Sequence, residues 1–151
     1  MSATTEKKTP KKAAPRTEMP VQAPFARIQN YLEVALGYGE AEARAEADRC
    51  LQCKTPLCRQ GCPVEIDIKG FIGRLQKGDL PGAYKVLREY NSLPAVCGRV
   101  CPQETQCEGM CILSQKPDKT GGPVCIGRLE RYVADTRSEE RCGGNGCRSR
   151  G

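Results

Sequence analysis

The sequence predicts an all-α domain held together by something besides apolar burial. Three observations lead there. Apolar residues recur at three- and four-residue spacing in several stretches, and no convincing alternation with a period of two is found. Hydrophobic residues make up only 38% of the 151 and aromatics 5%, with no Trp, which is thin for a self-sufficient core. Eleven cysteines are present, most of them in two runs. Covalent or metal staples are the usual supplement to a thin core.

Residues 1–20 combine Lys, Pro, Ala and Thr without periodicity and are expected to form a disordered basic tail. In "FARIQNYLEVALGYG", Phe25, Ile28, Leu32 and Leu36 recur at helical spacing, and Gly37 or Gly39 can end the helix. "EAEARAEADRCLQC" should be a second helix that runs into the first cysteines. In "IDIKGFIGRLQKGD", Asp67 is placed to cap a helix whose apolar face is Ile68, Phe71, Ile72 and Leu75. "DLPGAYKVLREY" follows, with Asp79 as cap and Pro81 in the first turn. "NSLPAVCGRVCPQETQCEGMC" carries the second cysteine run. "QKPDKTGGP" reads as a loop from its Gly and Pro content. "CIGRLERYVADTR" returns to helical spacing through Ile126, Leu129, Tyr132 and Val133. "SEERCGGNGCRSRG" reads as a frayed end. The expected division is a tail at 1–20, a helical domain at 21–136 and a flexible Gly/Arg-rich end at 137–151.

Charge and composition exclude several classes. The formal charge is +6, but most of it sits in the two end segments and the middle is nearly neutral. The basic tail reads as a solvated tether, because no aromatic residue stands among its lysines to stack on a base. Nucleic acid is therefore not the expected partner. The lysines at the N-terminus are not followed by the apolar core of a secretory signal. No stretch approaches the roughly 20 apolar residues of a membrane span. The expected location is the cytoplasm, where thiols stay reduced and a disulfide framework is unfavoured. There is no histidine, which removes Cys/His zinc sites and His-based catalysis together.

The first run is Cys50-x2-Cys53-x4-Cys58-x3-Cys62-Pro63. The second is Cys97-x3-Cys101-Pro102-x5-Cys107-x3-Cys111. The first resembles a bacterial ferredoxin run with a widened middle gap. Closely spaced cysteines on a loop can hold three corners of a cubane, and the fourth ligand comes from elsewhere. In two-cluster ferredoxins the cysteine before the proline serves the other cluster, which nominates Cys62 for a second site. Spacing alone would also nominate Cys97. Gly61, Gly98 and Gly109 lie beside cysteines, where they could let backbone amides approach cluster sulfurs. Two structural zinc ions are the alternative, but only Cys50/Cys53 forms a C-x2-C knuckle.

"ADRCLQCKTPLCRQGCPVEIDIKGFIGRL", "NSLPAVCGRVCPQETQCEGMC" and "PVCIGRLERYVAD" together resemble the N-terminal iron–sulfur domain of the NADPH-dependent glutamate synthase small chain. The same domain occurs in dihydropyrimidine dehydrogenase and related ferredoxin–NADP oxidoreductase subunits. The resemblance spans roughly residues 25–136. It implies an α-helical ferredoxin-like domain around two [4Fe–4S] clusters, with a crossed ligand set. Cys50, Cys53, Cys58 and Cys111 would hold one cluster. Cys62, Cys101 and Cys107 would hold the other, with Glu130 as the fourth ligand in the place where dihydropyrimidine dehydrogenases have glutamine. Cys97, Cys125, Cys142 and Cys147 would not be ligands, so resemblance and spacing disagree over Cys97.

In that family a flavin- and NADPH-binding part follows, opening on a Gly-rich βαβ turn. "RCGGNGCRSRG" follows no strand and does not supply such a turn. FAD and NADPH are thus expected on a further part of the protein or on a partner chain. The expected partners are that flavoprotein part and a glutamate synthase large-chain-like subunit. The expected role is electron relay in glutamate biosynthesis, and this segment alone, with no catalytic constellation, should not turn over substrate. A dihydropyrimidine dehydrogenase-like relay, a ferredoxin–NADP oxidoreductase relay and a zinc-stabilised interaction module are the rival readings.

Overall fold

The computed structural model describes residues 14–115 and 121–142. Its described residues form seven α-helices and one 3₁₀ helix, as the sequence predicts. They are α1 (Pro24–Arg27), α2 (Glu40–Ala47), α3 (Leu57–Gln60), α4 (Ile68–Gln76), α5 (Leu80–Tyr90), α6 (Pro94–Val100), the 3₁₀ turn Ile112–Gln115 and α7 (Ile126–Cys142). No strand occurs among them, only an isolated bridge between Val21 and Ala35.

The caps act as their sequence suggests. Asp67 accepts a hydrogen bond from the Gly70 amide at 3.0 Å and starts α4. Asp79 does the same for α5 through the Gly82 amide at 2.9 Å. Each satisfies a donor that the first helical turn leaves unpaired. Between the two helices Gly78 takes φ +75°, a left-handed turn that glycine enters without a Cβ clash. The predicted face of α4, Ile68, Phe71, Ile72 and Leu75, is buried throughout. It packs against α5 and α2, while α6 packs along α7. Contacts of α5 and α2 with α7 join the two pairs. Phe71, Ile72, Leu87, Leu129 and Val133 form the centre of the resulting core. Each such side chain contributes about 1.5–3 kcal/mol by leaving water.

The helix expected from Phe25 to Leu36 does not form. Only α1 is helical, and Asn30 explains the stop. Its side chain donates to the Ala26 carbonyl at 2.7 Å and accepts from the Leu32 amide at 2.9 Å. These bonds replace the next helical turn. The chain then doubles back, with Gln22 N–H on Val34 O and Leu36 N–H on Pro20 O. The apolar spacing in this stretch marks no core face, since Phe25, Ile28, Tyr31 and Leu32 are all exposed. The second helix also stops early, at Ala47, and Cys50 follows on a tightened turn.

The expected ends shift as well. Residues 1–13 and 143–151 lie outside the described residues, but 14–20 run along the domain as a strap. The amide of Thr17 donates to Glu46 at 2.7 Å, and Tyr38 donates its hydroxyl to the Thr17 carbonyl at 2.6 Å. Arg16 bonds Cys125 at 3.0 Å and pairs with Glu108. At the other end α7 continues past 136 to Cys142. Residues 116–120 of the expected 115–123 loop lie outside the described residues.

Glu46 is the strap's anchor, and it is fully buried. Its carboxylate accepts from Arg49 at 2.6 Å, from the Thr17 amide, and from the Cys125 amide at 2.8 Å. Arg49 in turn donates to the carbonyls of Ala14, Pro123 and Gly122. Burial opposes the charge on Glu46, but the two amides and the guanidinium outweigh it and hold the carboxyl below its ordinary range. A carboxyl depressed in the folded state adds stability above its unfolded pKa, and that stability is lost as pH falls through the folded value.

Glu46→Gln should therefore lower stability by about 3–5 kcal/mol near neutral pH, the cost of breaking one side of a buried pair. Denaturant unfolding at a series of pH values checks this. The gap between wild type and variant should be full above about pH 5 and shrink below about pH 4.

Candidate metal–thiolate centre

Two loops deliver the cysteines, and each loop supplies two separate places. The first loop turns sharply at Gln52, which takes φ +51° between Cys50 and Cys53. Gln76 fastens the same loop to α4 by donating to the carbonyls of Ala47 and Cys50 at 2.8 and 3.1 Å. The short helix α3 begins after Pro56 and carries Cys58. Cys62 follows it, and Glu65 at φ +50° turns the chain again after Pro63.

Cys50, Cys53, Cys58 and Cys111 line one cleft, walled by Ile68, Ile72, Leu113, Val124 and Ile126. The thiols influence one another there. Burial, followed by the neighbouring Cys111 and Cys50, pushes the Cys58 thiol up to about 11. Cys50 is also raised, by burial first and then by Cys53 and Cys111. The set of four is the one that the resemblance implies for a single cluster.

The second place gathers Cys62, Cys101, Cys107 and Glu130. Burial raises Cys101 to about 11, with Cys97, Glu130 and Cys62 adding to the effect. Burial raises Cys107 to about 12, with Glu108, Cys62 and Glu130 adding. Cys97 stands here too, on α6, within reach of Cys101. Cys125 is elsewhere, wholly buried beside Arg16 and the Glu46 anchor. The side chain of Cys142 and the whole of Cys147 lie outside the described residues. No disulfide joins the described cysteines.

Glu130 is the least expected member by composition. A glutamate on a surface helix is ordinarily solvated, yet this one is 7% exposed. Its side chain accepts a hydrogen bond from Asn91 at 2.8 Å. Burial pushes its carboxyl up to about 7, and only Asn91 opposes the shift. Among the described residues no cation adds to that opposition. Asn91 is the residue the sequence reading missed. Its bond to the Leu93 amide before Pro94 is a local turn signal, but its reach to α7 is not legible in the chain.

The glycines serve packing. A Cβ at Gly98 would lie 2.7 Å from the Arg131 backbone nitrogen, so α6 can meet α7 here only without a side chain. A Cβ at Gly61 would strike the Gln106 carbonyl at 2.6 Å, where the two cysteine loops cross. These contacts account for both glycines through backbone approach to backbone.

The donor set suits a multinuclear iron–sulfur group. The cleft offers four thiols and apolar walls, and the second place offers Cys62, Cys97, Cys101, Cys107 and a buried carboxylate. Among the described residues no three Cys, Asp or Glu side chains converge closely enough to hold one metal ion. Cys50, Cys53, Cys58 and Cys111 face a shared cleft.

Comparison with known proteins agrees. Residues 27–142 match the family described as dihydropyrimidine dehydrogenase domain II, 4Fe-4S cluster. The chain belongs to this family. It is 39% identical over 119 residues to the glutamate synthase [NADPH] small chain of Azospirillum brasilense, covering 78% of this chain and 24% of that protein. The small chain of Escherichia coli K12 is 37% identical over 124 residues, 82% of this chain and 25% of the relative. The NAD-dependent dihydropyrimidine dehydrogenase subunit PreT of the same organism is 40% identical over 108 residues, 71% and 25%. The chain thus spans about a quarter of the length of these relatives. The family resemblance read from the cysteine motifs is borne out, and with it the [4Fe–4S] character of the domain.

The α6–α7 approach generates a test on metal-free protein. Gly98→Ala should force the two helices apart and cost about 1–3 kcal/mol, as overpacking does, measured by denaturant unfolding. Cys101 and Cys107 should become faster to alkylate, whereas Cys50, Cys53, Cys58 and Cys111 keep their wild-type rates.

Proposed function

We propose that this chain is an electron-relay domain with two [4Fe–4S] clusters, which passes electrons from a reduced flavin toward a reductive partner subunit. The observation that carries the reading is the sorting of the cysteines. Cys50, Cys53, Cys58 and Cys111 line one cleft, and Cys62, Cys97, Cys101 and Cys107 lie near Glu130, which supports two separate sites. The proposed ligands are Cys50, Cys53, Cys58 and Cys111 for one cluster, and Cys62, Cys101, Cys107 and Glu130 for the other. Such clusters supply one-electron chemistry at potentials set by ligand charge, hydrogen bonding and burial.

The residues of this chain supply the surroundings. Ile68, Ile72 and Ile126 keep water from one side of the first set. α7 carries Glu130, which meets Asn91 at the end of α5. Cys97, Cys125, Cys142 and Cys147 are outside the ligand sets. The cluster-bearing unit is taken as residues 21–136, with the strap 14–20 fastened to it.

The names of the relatives support the setting. A glutamate synthase small chain works with a larger subunit, so a flavin- and NADPH-binding part and a glutamate synthase large-chain-like subunit are the proposed partners in glutamate biosynthesis. The similarity to PreT supports a second destination, the same relay feeding a pyrimidine-reducing partner. Glu130 favours the first, because the resemblance implies glutamine at this position in dihydropyrimidine dehydrogenases. No helix among the described residues is long and apolar enough to cross a membrane, and the proposed location is the cytoplasm.

Iron, acid-labile sulfide and zinc should be measured on protein reconstituted without oxygen. Two clusters require about eight iron and eight sulfide per chain. About two zinc without sulfide would instead make the chain a structural zinc module. On the reconstituted protein, Glu130→Ala should alter the electron paramagnetic resonance signal of one cluster, while Cys97→Ser leaves both assembled. The reverse pattern would overturn the ligand assignment.

A further inference from the structure

The second place holds one ligand candidate too many. Cys62, Cys101 and Cys107 leave one position of a cubane to fill, and both Glu130 and Cys97 lie beside Cys101. A thiolate is the commoner ligand for iron–sulfur clusters. Something in the protein must favour the carboxylate.

Asn91 touches both candidates. Its Nδ2 donates to Glu130 Oε1 at 2.8 Å. Its Oδ1 accepts from the Leu93 amide at 2.8 Å and from Cys97 Sγ at 3.7 Å. The amide is a donor only, so it fixes which end of the carboxamide faces Leu93. The opposite end, which can only donate, is then turned toward Glu130. The backbone is fixed as well, since the Asn91 amide closes α5 on the Leu87 carbonyl at 2.9 Å. At 7% exposure the side chain has little room to turn over.

Resting on the ligand reading above, we propose that Asn91 is a positioning residue that gives the last ligand place to Glu130 and withholds it from Cys97. Its donated hydrogen bond occupies Oε1 and aims Oε2 as the coordinating atom. Its accepting oxygen holds the Cys97 thiol by its proton. To ligate, Cys97 would have to leave Asn91, whereas Glu130 can keep its bond to Asn91 on Oε1. The selection rests on a carboxamide whose two ends are not interchangeable.

The full chain is reconstituted without oxygen from enriched iron and sulfide, as wild type, Asn91→Ala, Cys97→Ser, Asn91→Ala/Cys97→Ser and Glu130→Ala. Mössbauer spectra separate an oxygen-ligated iron from all-thiolate sites, and iron content reports assembly. Wild type and Cys97→Ser should both show the oxygen-ligated iron. Asn91→Ala should keep full iron but replace that signature with an all-thiolate one. The double variant, with Cys97 gone and Glu130 still present, should regain the oxygen-ligated iron. The inference is overturned if Asn91→Ala keeps the wild-type spectrum, if it loses the second cluster outright, or if the double variant matches Asn91→Ala. Should Asn91→Ala not fold, Asn91→Asp decides. It keeps the oxygen that caps Leu93 and removes the donor to Glu130, so an unchanged oxygen-ligated signature there overturns the inference. Wild type without iron and sulfide would remove the cluster reading itself. Full clusters in wild type with an oxygen-ligated iron that survives Glu130→Ala would remove only the ligand and its selector.

Discussion

The buried pair of Glu46 and Arg49 fixes the parts of this fold that sequence separates most widely. Between them the two side chains bind the strap at Ala14 and Thr17, the Gly122–Pro123 turn and the Cys125 amide. Cys50 comes directly after Arg49, and Cys125 directly precedes α7. One ion pair therefore ties the start of the first cysteine loop to the start of the helix that carries Glu130. A pair at this depth gives up hydration on both partners, and it holds only where further hydrogen bonds satisfy each charge. Here those bonds end on the strap, on the Gly122–Pro123 turn and on the amide just before α7. What an apolar cluster would do by area alone, this pair does by direction, which suits a chain with so little apolar residue to use.

The two thiol groups are locked to one another by the chain path. Cys58 and Cys62 are separated by the end of α3 but serve different groups. Cys107 and Cys111, at the far end of the second loop, divide in the same way. Moving either loop would disturb both places at once. Gly61 sits at the crossing, with the Gln106 carbonyl where its Cβ would be, so the loops meet backbone to backbone. A side chain at Gly61 would force the two loops apart there.

Local chemistry was legible in the sequence wherever one residue decides the outcome. Asp67 and Asp79 announce their helices, and the spacing of Ile68, Phe71, Ile72 and Leu75 gives the buried face of α4. Spacing failed from Phe25 to Leu36 because a periodic pattern requires something to pack against, and Asn30 offers the backbone a competing set of bonds. The strap was missed for the opposite reason. Arg16 and Thr17 look like tail residues, and their partners Glu108, Cys125 and Glu46 lie far along the chain. The cysteine motifs and their resemblance pointed to the thiol groups, whereas spacing alone promoted Cys97. Only the fold shows that Cys97 and Glu130 reach the same spot from two helices and that Asn91 bridges them.

The two buried glutamates make the closing contrast. Glu46 and Glu130 both lie on helices and are both withdrawn from water. Glu46 has a guanidinium and two amides, and its carboxyl is held low. Glu130 has Asn91, and burial leaves its carboxyl high. A carboxylate at that depth with one neutral hydrogen bond is unfavourable by several kcal/mol as an isolated ion. A structural role would be served better by an apolar residue of the same size, since α7 already buries Leu129 and Val133 on either side. The arrangement becomes favourable when a positive centre sits among Cys62, Cys101 and Cys107. In the proposed cluster, the iron left without a thiolate would be that centre.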